Sequence, residues 1–253
     1  MSYLRFDDGG LPRFGRLEAG VVTPLDDAPW AGGEPAGTPR PYEGLDLLPP
    51  VPPGGKVLCI GRNYLAHAKE LGNEVPSEPL VFLKPSTSLL AHGGTVLLPP
   101  ESERVDFEGE LALVIGRRAR RVSREEFDDV VFGVTPAFDI SARDLQKKDG
   151  QWWRAKGFDT FCPCGPVIAC GVAASDLSLR TYLDGVVRQD ARTSRMIFDL
   201  PTLVSWVSQA MTLEPGDLLL TGTPEWVGPL AGGQRLELEM EGLPRLSVRV
   251  AKE

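Results

Sequence analysis

Histidine is nearly missing from this sequence, with His67 and His92 the only two among 253 residues. Cysteine is scarce too: Cys162, Cys164 and Cys170 cluster, while Cys59 lies far off in an apolar run. A zinc site needs two spaced pairs or added imidazoles. The four thiols therefore read as free and reduced rather than as zinc ligands or disulfides. No apolar run approaches the roughly 20 residues of a membrane-spanning helix. The opening residues 1–8 also lack the apolar centre of a signal peptide, so the expectation is a cytoplasmic protein without membrane attachment. Basic patches are missing as well. The net charge is −8, the pI is near 5.0, and Arg117-Arg118-Ala119-Arg120-Arg121 is too short to be more than a solvated turn, which excludes nucleic acid as the partner. There is no Gly-x-Ser-x-Gly elbow, no Gly-x-x-x-x-Gly-Lys phosphate loop and no internal repeat.

What is present suffices for a sizeable core, since 42% of the residues are hydrophobic. Residues 1–22 read as short strands, and the Pro/Gly-rich stretch from Pro24 to Gly55 can hold neither a long helix nor a central strand. The chain therefore divides into a small N-terminal domain with its linker, residues 1–55, and a main domain, residues 56–253. The main domain opens with the strand Lys56–Gly61 and a helix over Tyr64–Gly72 stopped by Gly72-Asn73. Ser123 is the expected cap of a helix from Arg124 to about Val130. A hairpin with an Asp184-Gly185 turn, a helix around Thr202–Met211 and two alternating strands near 236–250 complete it. With few helices and no regular strand–helix alternation, the fold class is α+β, mainly β, as a β-sandwich or roll.

One apolar strand, Asp106 to Gly116, carries acids at its beginning. In an extended strand Glu108 and Glu110 share a face, an arrangement that asks for a cation unless the strand end is simply solvated. Gly109 between them leaves the opposite face bare, where neighbouring backbone could pack close. Asp139 repeats the anomaly at the end of a second apolar run. Three such carboxylates could form one site, and an all-oxygen set selects Mg²⁺, Mn²⁺ or Ca²⁺ over zinc. His67 and Glu70, three apart on a helix, suit a base and its orienter, or else form an ordinary surface pair. Arg143 suits a substrate carboxylate, and Lys156, half buried beside an ion, suits an electrophile or a proton donor with a lowered pKa.

Gly61-Arg62-Asn63-Tyr64 with His67 and Glu70, Phe82-Leu83-Lys84-Pro85, Glu108-Gly109-Glu110, Asp139 with Ser141–Gln146, Ala155–Asp159, and Leu213–Asp217 through Thr221-Gly222-Thr223-Pro224 stand in one order. Together they resemble the fumarylacetoacetate hydrolase family across about residues 56 to 250. The resemblance implies a mixed β-sandwich roll, homodimeric, with Mg²⁺ or Mn²⁺ held by Glu108, Glu110 and Asp139. It implies a small-molecule substrate, a 2-oxo or β-diketo acid, in a pocket that includes Lys156, Gln146 and Thr223. It further implies that His67 with Glu70 activates water to cleave a C–C bond of an acylpyruvate. The same site could instead isomerise 2-hydroxyhepta-2,4-diene-1,7-dioate or decarboxylate oxo-diacids such as oxaloacetate. A non-catalytic Ca²⁺-stabilised binding protein is the reading from another class. Phe138 where an Asn is usual, Asp184 in the hairpin turn, and Glu225-Trp226 after Thr223-Pro224 depart from the family pattern, and Trp226 is expected to narrow the pocket.

Overall fold

The computed structural model describes residues 1–70 and 74–253. Two sheets account for most of it. The larger has eleven strands. From one edge it runs Arg40–Pro41, Val21–Pro24, Pro12–Glu18, Ser2–Asp7, Ile168–Ala169, Val131–Phe138, Gly109–Ile115, Leu218–Leu220, Val57–Gly61 and Leu80–Lys84, with Leu47–Leu48 added beside Ser2–Asp7. The second, of five strands, runs Val186–Arg192, Ser178–Leu183, Arg235–Met240, Leu246–Lys252 and Thr95–Leu98. Most neighbours are antiparallel, but Leu218–Leu220 runs parallel to Val57–Gly61, and Leu246–Lys252 parallel to Thr95–Leu98. The fold is thus the expected mainly-β arrangement of mixed sheets with few helices.

The strand Gly109–Ile115 shows why the sheets stack as they do. Its odd-numbered residues Leu111, Leu113 and Ile115 enter the main core, which they share with Leu179, Leu238 and Val248 of the second sheet. Its even-numbered residues Ala112 and Val114 belong to a separate apolar cluster with Val57, Cys59, Ala137, Leu218 and Leu220 on the opposite face. Both faces are covered, so every residue of the strand is buried. That is the physical cause of its unbroken apolar run.

Several local expectations hold and others need correction. The Asp184-Gly185 turn joins Leu183 to Val186 with both turn residues at positive φ, as a two-residue hairpin requires. The helix expected near 202–211 spans Leu200–Ala210, and its cap is Asp199, whose carboxylate accepts from the Thr202 N–H. Ser123 caps nothing: the helix is only Phe127–Val130, it begins after Glu126, and the Ser123 N–H instead donates to the Glu126 carboxylate. The first helix is Leu65–Glu70, and the stop expected at Gly72-Asn73 lies outside the described residues. The N-terminal strands extend the large sheet through Ser2↔Ala169 and Tyr3↔Ile168. The Pro/Gly-rich stretch lies on that sheet, with Trp30 packed edge-on against Phe14 and Phe132.

Candidate active site

Ladder register brings the acids together. Gly109 pairs with Phe138 and Glu110 with Ala137, and one step beyond the ladder the Asp139 N–H donates to the Glu108 carbonyl at 2.9 Å. The acidic stretch is not one strand, however. Val105–Phe107 joins a three-stranded sheet with Ser141–Ala142 and Gly228–Pro229, so Glu108 stands at the corner where the chain changes sheets. Gly109 makes that corner possible, though not by letting backbone approach. A Cβ there would lie 2.3 Å from Thr181 Oγ1, and the Gly109 N–H donates to Gln189 Oε1 at 3.0 Å. The side chains of the hairpin fill the space that the glycine leaves.

Four carboxylates, Asp106, Glu108, Glu110 and Asp139, are buried with three cations, Lys84, Arg143 and Lys156. The Lys156 ammonium bridges Glu108 (2.8 Å) and Asp139 (2.5 Å), and Lys84 donates to Asp139 at 2.6 Å and to the Ile140 carbonyl at 3.2 Å. Arg143 bonds Asp106 at 3.0 Å and also reaches Glu108, while Arg104 approaches Asp106 from the exposed side. Burial would raise the Glu108 carboxyl, but Arg143 and Lys156 pull it well below the usual range. Glu110 is the reverse case. Among the described residues it accepts only the Gly222 N–H, and burial, reinforced by the charges of Asp139 and Glu108, holds it well above that range. The expectation of a lowered pKa for Lys156 is also reversed: burial pushes it down, but Asp139 and Glu108 outweigh burial and keep it charged.

These groups line a cavity of about 300 Å³ whose walls include Ile60, Arg62, His67, Phe82, Trp152 and Thr223. His67 is buried, and burial lowers its pKa, leaving a neutral imidazole. Its Nδ1 faces Glu70 Oε2 at 3.4 Å without the alignment of a hydrogen bond, and no other partner reaches it among the described residues. Glu70 does not reach the cavity. It stands behind His67, and both its oxygens accept the Trp226 N–H at 3.1 Å. The Trp226 ring is exposed and does not line the cavity, so it does not narrow the pocket as expected.

The expected substrate contacts divide. Arg143 and Gln146 both line the cavity, but Arg143 already donates to Asp106, Glu108 and Gln146 Oε1. The Thr223 hydroxyl is also engaged, donating to the Gly109 carbonyl and accepting from Gln189. The sequence pattern assigns no role to Lys84, Asp106 or Gln189. Lys84 carried a usable signal, since it is a charge at the end of an apolar strand, the same anomaly that marked the acids.

The residues fit a divalent ion. Carboxylate oxygens of Glu108, Glu110 and Asp139 all lie within 4.8 Å of one another. Two ligands on opposite sides of one ion, at roughly 2.1–2.4 Å each, stand about 4.2–4.8 Å apart. The donors are all oxygen, and among the described residues Glu110 is the one member of the cluster that no cation touches.

Residues 56–251 match the family described as "Fumarylacetoacetate (FAA) hydrolase C-terminal". The chain belongs to the fumarylacetoacetate hydrolase family. Residues 1–50 match a second family, "Rv2993c-like, N-terminal". The chain is 44% identical over 240 residues to Protein Rv2993c of Mycobacterium tuberculosis, covering 93% of this chain and 90% of that one. It is 45% identical over 205 residues to oxaloacetate tautomerase FAHD1, mitochondrial, of Arabidopsis thaliana, covering 79% and 92%. The crystal structure of 2-hydroxyhepta-2,4-diene-1,7-dioate isomerase from Mycobacterium marinum superposes with a TM-score of 0.92 at 40% identity, over 100% of this chain and 99% of that one.

Proposed function

We propose that this chain is a Mg²⁺- or Mn²⁺-dependent enzyme that moves a proton next to the carbonyl of a short 2-oxo diacid, with keto–enol tautomerisation of oxaloacetate as its reaction. The observation that carries this reading is that His67, neutral and buried, lines the same small cavity as three converging carboxylates. A tautomerase 45% identical and an isomerase 40% identical support it, because both names describe proton relocation on an oxo or enol acid. A cavity of about 300 Å³ is at the small end of ligand sites and suits a short acid.

An ion held by Glu108, Glu110 and Asp139 would supply a Lewis acid at the 2-oxo oxygen. His67 lines the cavity with Nδ1 turned to Glu70, which leaves Nε2 as the nitrogen free to act as base. That nitrogen takes the proton from C3 and hands it to the 2-oxygen, so one C–H bond breaks and one O–H bond forms. Glu70 steadies the imidazolium in between. Lys156 holds a fixed positive charge beside the place where negative charge develops.

Hydrolysis of acylpyruvates is the second reading, favoured by the same His67–Glu70 pair, which could as well take a proton from water. The two separate in one experiment on the metal-loaded protein: decay of enol oxaloacetate by absorbance, beside pyruvate release from acetylpyruvate. Faster enol decay without pyruvate release is the expected result. Pyruvate release as the dominant activity would replace tautomerisation with hydrolysis, and inactivity toward both would remove the reading.

A further inference from the structure

Four cations line the cavity: Arg62, Arg143, Lys147 and Lys156. Two of them are committed to the protein's own acids, Arg143 to Asp106 and Glu108, and Lys156 to Glu108 and Asp139. Arg62 and Lys147 form no ion pair among the described residues, whose charged contacts otherwise account for every cation on the wall. Cationic side chains facing a cavity without a partner form a ready receptor for an anion.

The backbone at Arg62 points the same way. Its φ is +58°, a left-handed conformation that is strained for a long side chain. The next residue holds it there. Asn63 donates from Nδ2 to the Thr221 carbonyl at 2.8 Å and to the Phe198 carbonyl at 3.0 Å, and its Oδ1 accepts the Phe198 N–H at 2.8 Å. Gly222 lies so close that a Cβ there would meet the Asn63 Cβ at 2.6 Å. The turn is thus bolted to the segment that delivers Thr223, and the strain is kept at Arg62, which lines the cavity. Lys147 comes from the helix Arg143–Asp149, one residue beyond Gln146 and four beyond Arg143, on the face those two present to the cavity.

We propose that Arg62 and Lys147 recognise the distal carboxylate of the substrate, so that the site selects 2-oxo dicarboxylates over 2-oxo monocarboxylates. This rests on the reading of the site as an oxo-acid enzyme and reassigns recognition of the distal carboxylate from Arg143, whose charge is already paired with Asp106 and Glu108. The distal carboxylate lies against the two free cations, and the reacting end lies against the carboxylate cluster and His67.

The test uses oxaloacetate and its 4-methyl ester, which undergo the same tautomerisation but differ in the distal charge. Arg62→Gln, Lys147→Met and the double variant are compared by the ratio of kcat/KM for the diacid to that for the ester. Loss of a charge-assisted contact lowers that ratio about ten- to a hundredfold, mainly through KM for the diacid. An unchanged ratio in the double variant would overturn the proposal, as would an equal fall for both substrates. Thermal stabilisation by L-malate and by lactate, read with Mg²⁺ present, keeps the proposal separate from the reaction. A malate preference that the double variant loses supports the two cations even if no oxo acid turns over. Equal stabilisation by both acids contradicts them whatever the activity.

Discussion

Glu110 accepts one hydrogen bond, from the Gly222 N–H at 2.7 Å, and among the described residues no cation touches it. Its neighbours in the cluster are all neutralised: Glu108 by Arg143 and Lys156, Asp139 by Lys84 and Lys156. A buried carboxylate in that position is stable when protonated or when it shares an ion.

Replacing Glu110 by Gln therefore leaves the metal-free protein as stable as the wild type or more so, and removes its response to metal. Mn²⁺ at a hundredfold excess over its Kd stabilises the wild type by about 2.7 kcal/mol. Thermal unfolding with and without Mn²⁺ reads both effects. An E110Q variant that still gains the full stabilisation would remove Glu110 from the ligand set.

Metal affinity rises with pH. Burial, with the charges of Asp139 and Glu108, raises the Glu110 carboxyl well above its ordinary range. A raised carboxyl holds its proton more tightly folded than unfolded. In the metal-free protein it contributes stability at acid pH, which is lost as pH climbs through the folded pKa. The ion competes with that proton, so binding releases it. Calorimetric titration with Mn²⁺ at two pH values, in buffers of different ionisation enthalpy, should show proton release on binding and tighter binding at the higher pH. Equal affinity with no proton release is the contrary outcome.

Lys84 is structural. Its ammonium is fully buried on Asp139, and replacing it by Met leaves that carboxylate with Lys156 alone. Removing one partner of a buried pair costs about 3–5 kcal/mol, readable by denaturant unfolding of the metal-free protein. A loss below about 1 kcal/mol would mean that Lys156 or water compensates.

The carboxylates were legible in the sequence because each breaks an apolar run, and a charge in a strand buried on both faces needs a cause. His67 was legible because imidazoles are so rare here. Lys84, Asp106 and Gln189 acquire their roles only through contacts to residues distant in sequence, such as Lys84 to Asp139 or Gln189 to Gly109, and no local periodicity reports those. The break at Glu108 was hidden for the same reason: the apolar pattern runs on through the corner while the hydrogen-bond partners change. Ser123 looked like a cap because its type is right, but the helix starts only at Phe127, and of the capping box only the Ser123 N–H to the Glu126 carboxylate forms. Trp226 looked like a pocket wall, yet its contribution is a backbone N–H to Glu70.

The acid limb of the pH–rate profile belongs to His67. Burial lowers its pKa, and Glu70 and Glu108 oppose that shift. The rate is constant where the imidazole is neutral and falls as pH drops through a value below about 6.5. His67→Asn lowers kcat by about 10²–10⁴ and abolishes the limb. Glu70→Gln, by removing a group that raises the pKa, moves the limb to lower pH. A limb that persists in the His67 variant assigns the proton transfer to another group.

The central claim, that Glu108, Glu110 and Asp139 together hold one ion on which an oxo-acid reaction depends, is tested by titrating Mn²⁺ into metal-stripped protein. Bound ion and oxaloacetate enol decay are followed in the same samples. One ion per chain, with the rate rising in proportion to occupancy and both lost in E110Q, is the predicted result. Full enol decay by the stripped protein, or stoichiometric binding that E110Q leaves intact, would contradict it.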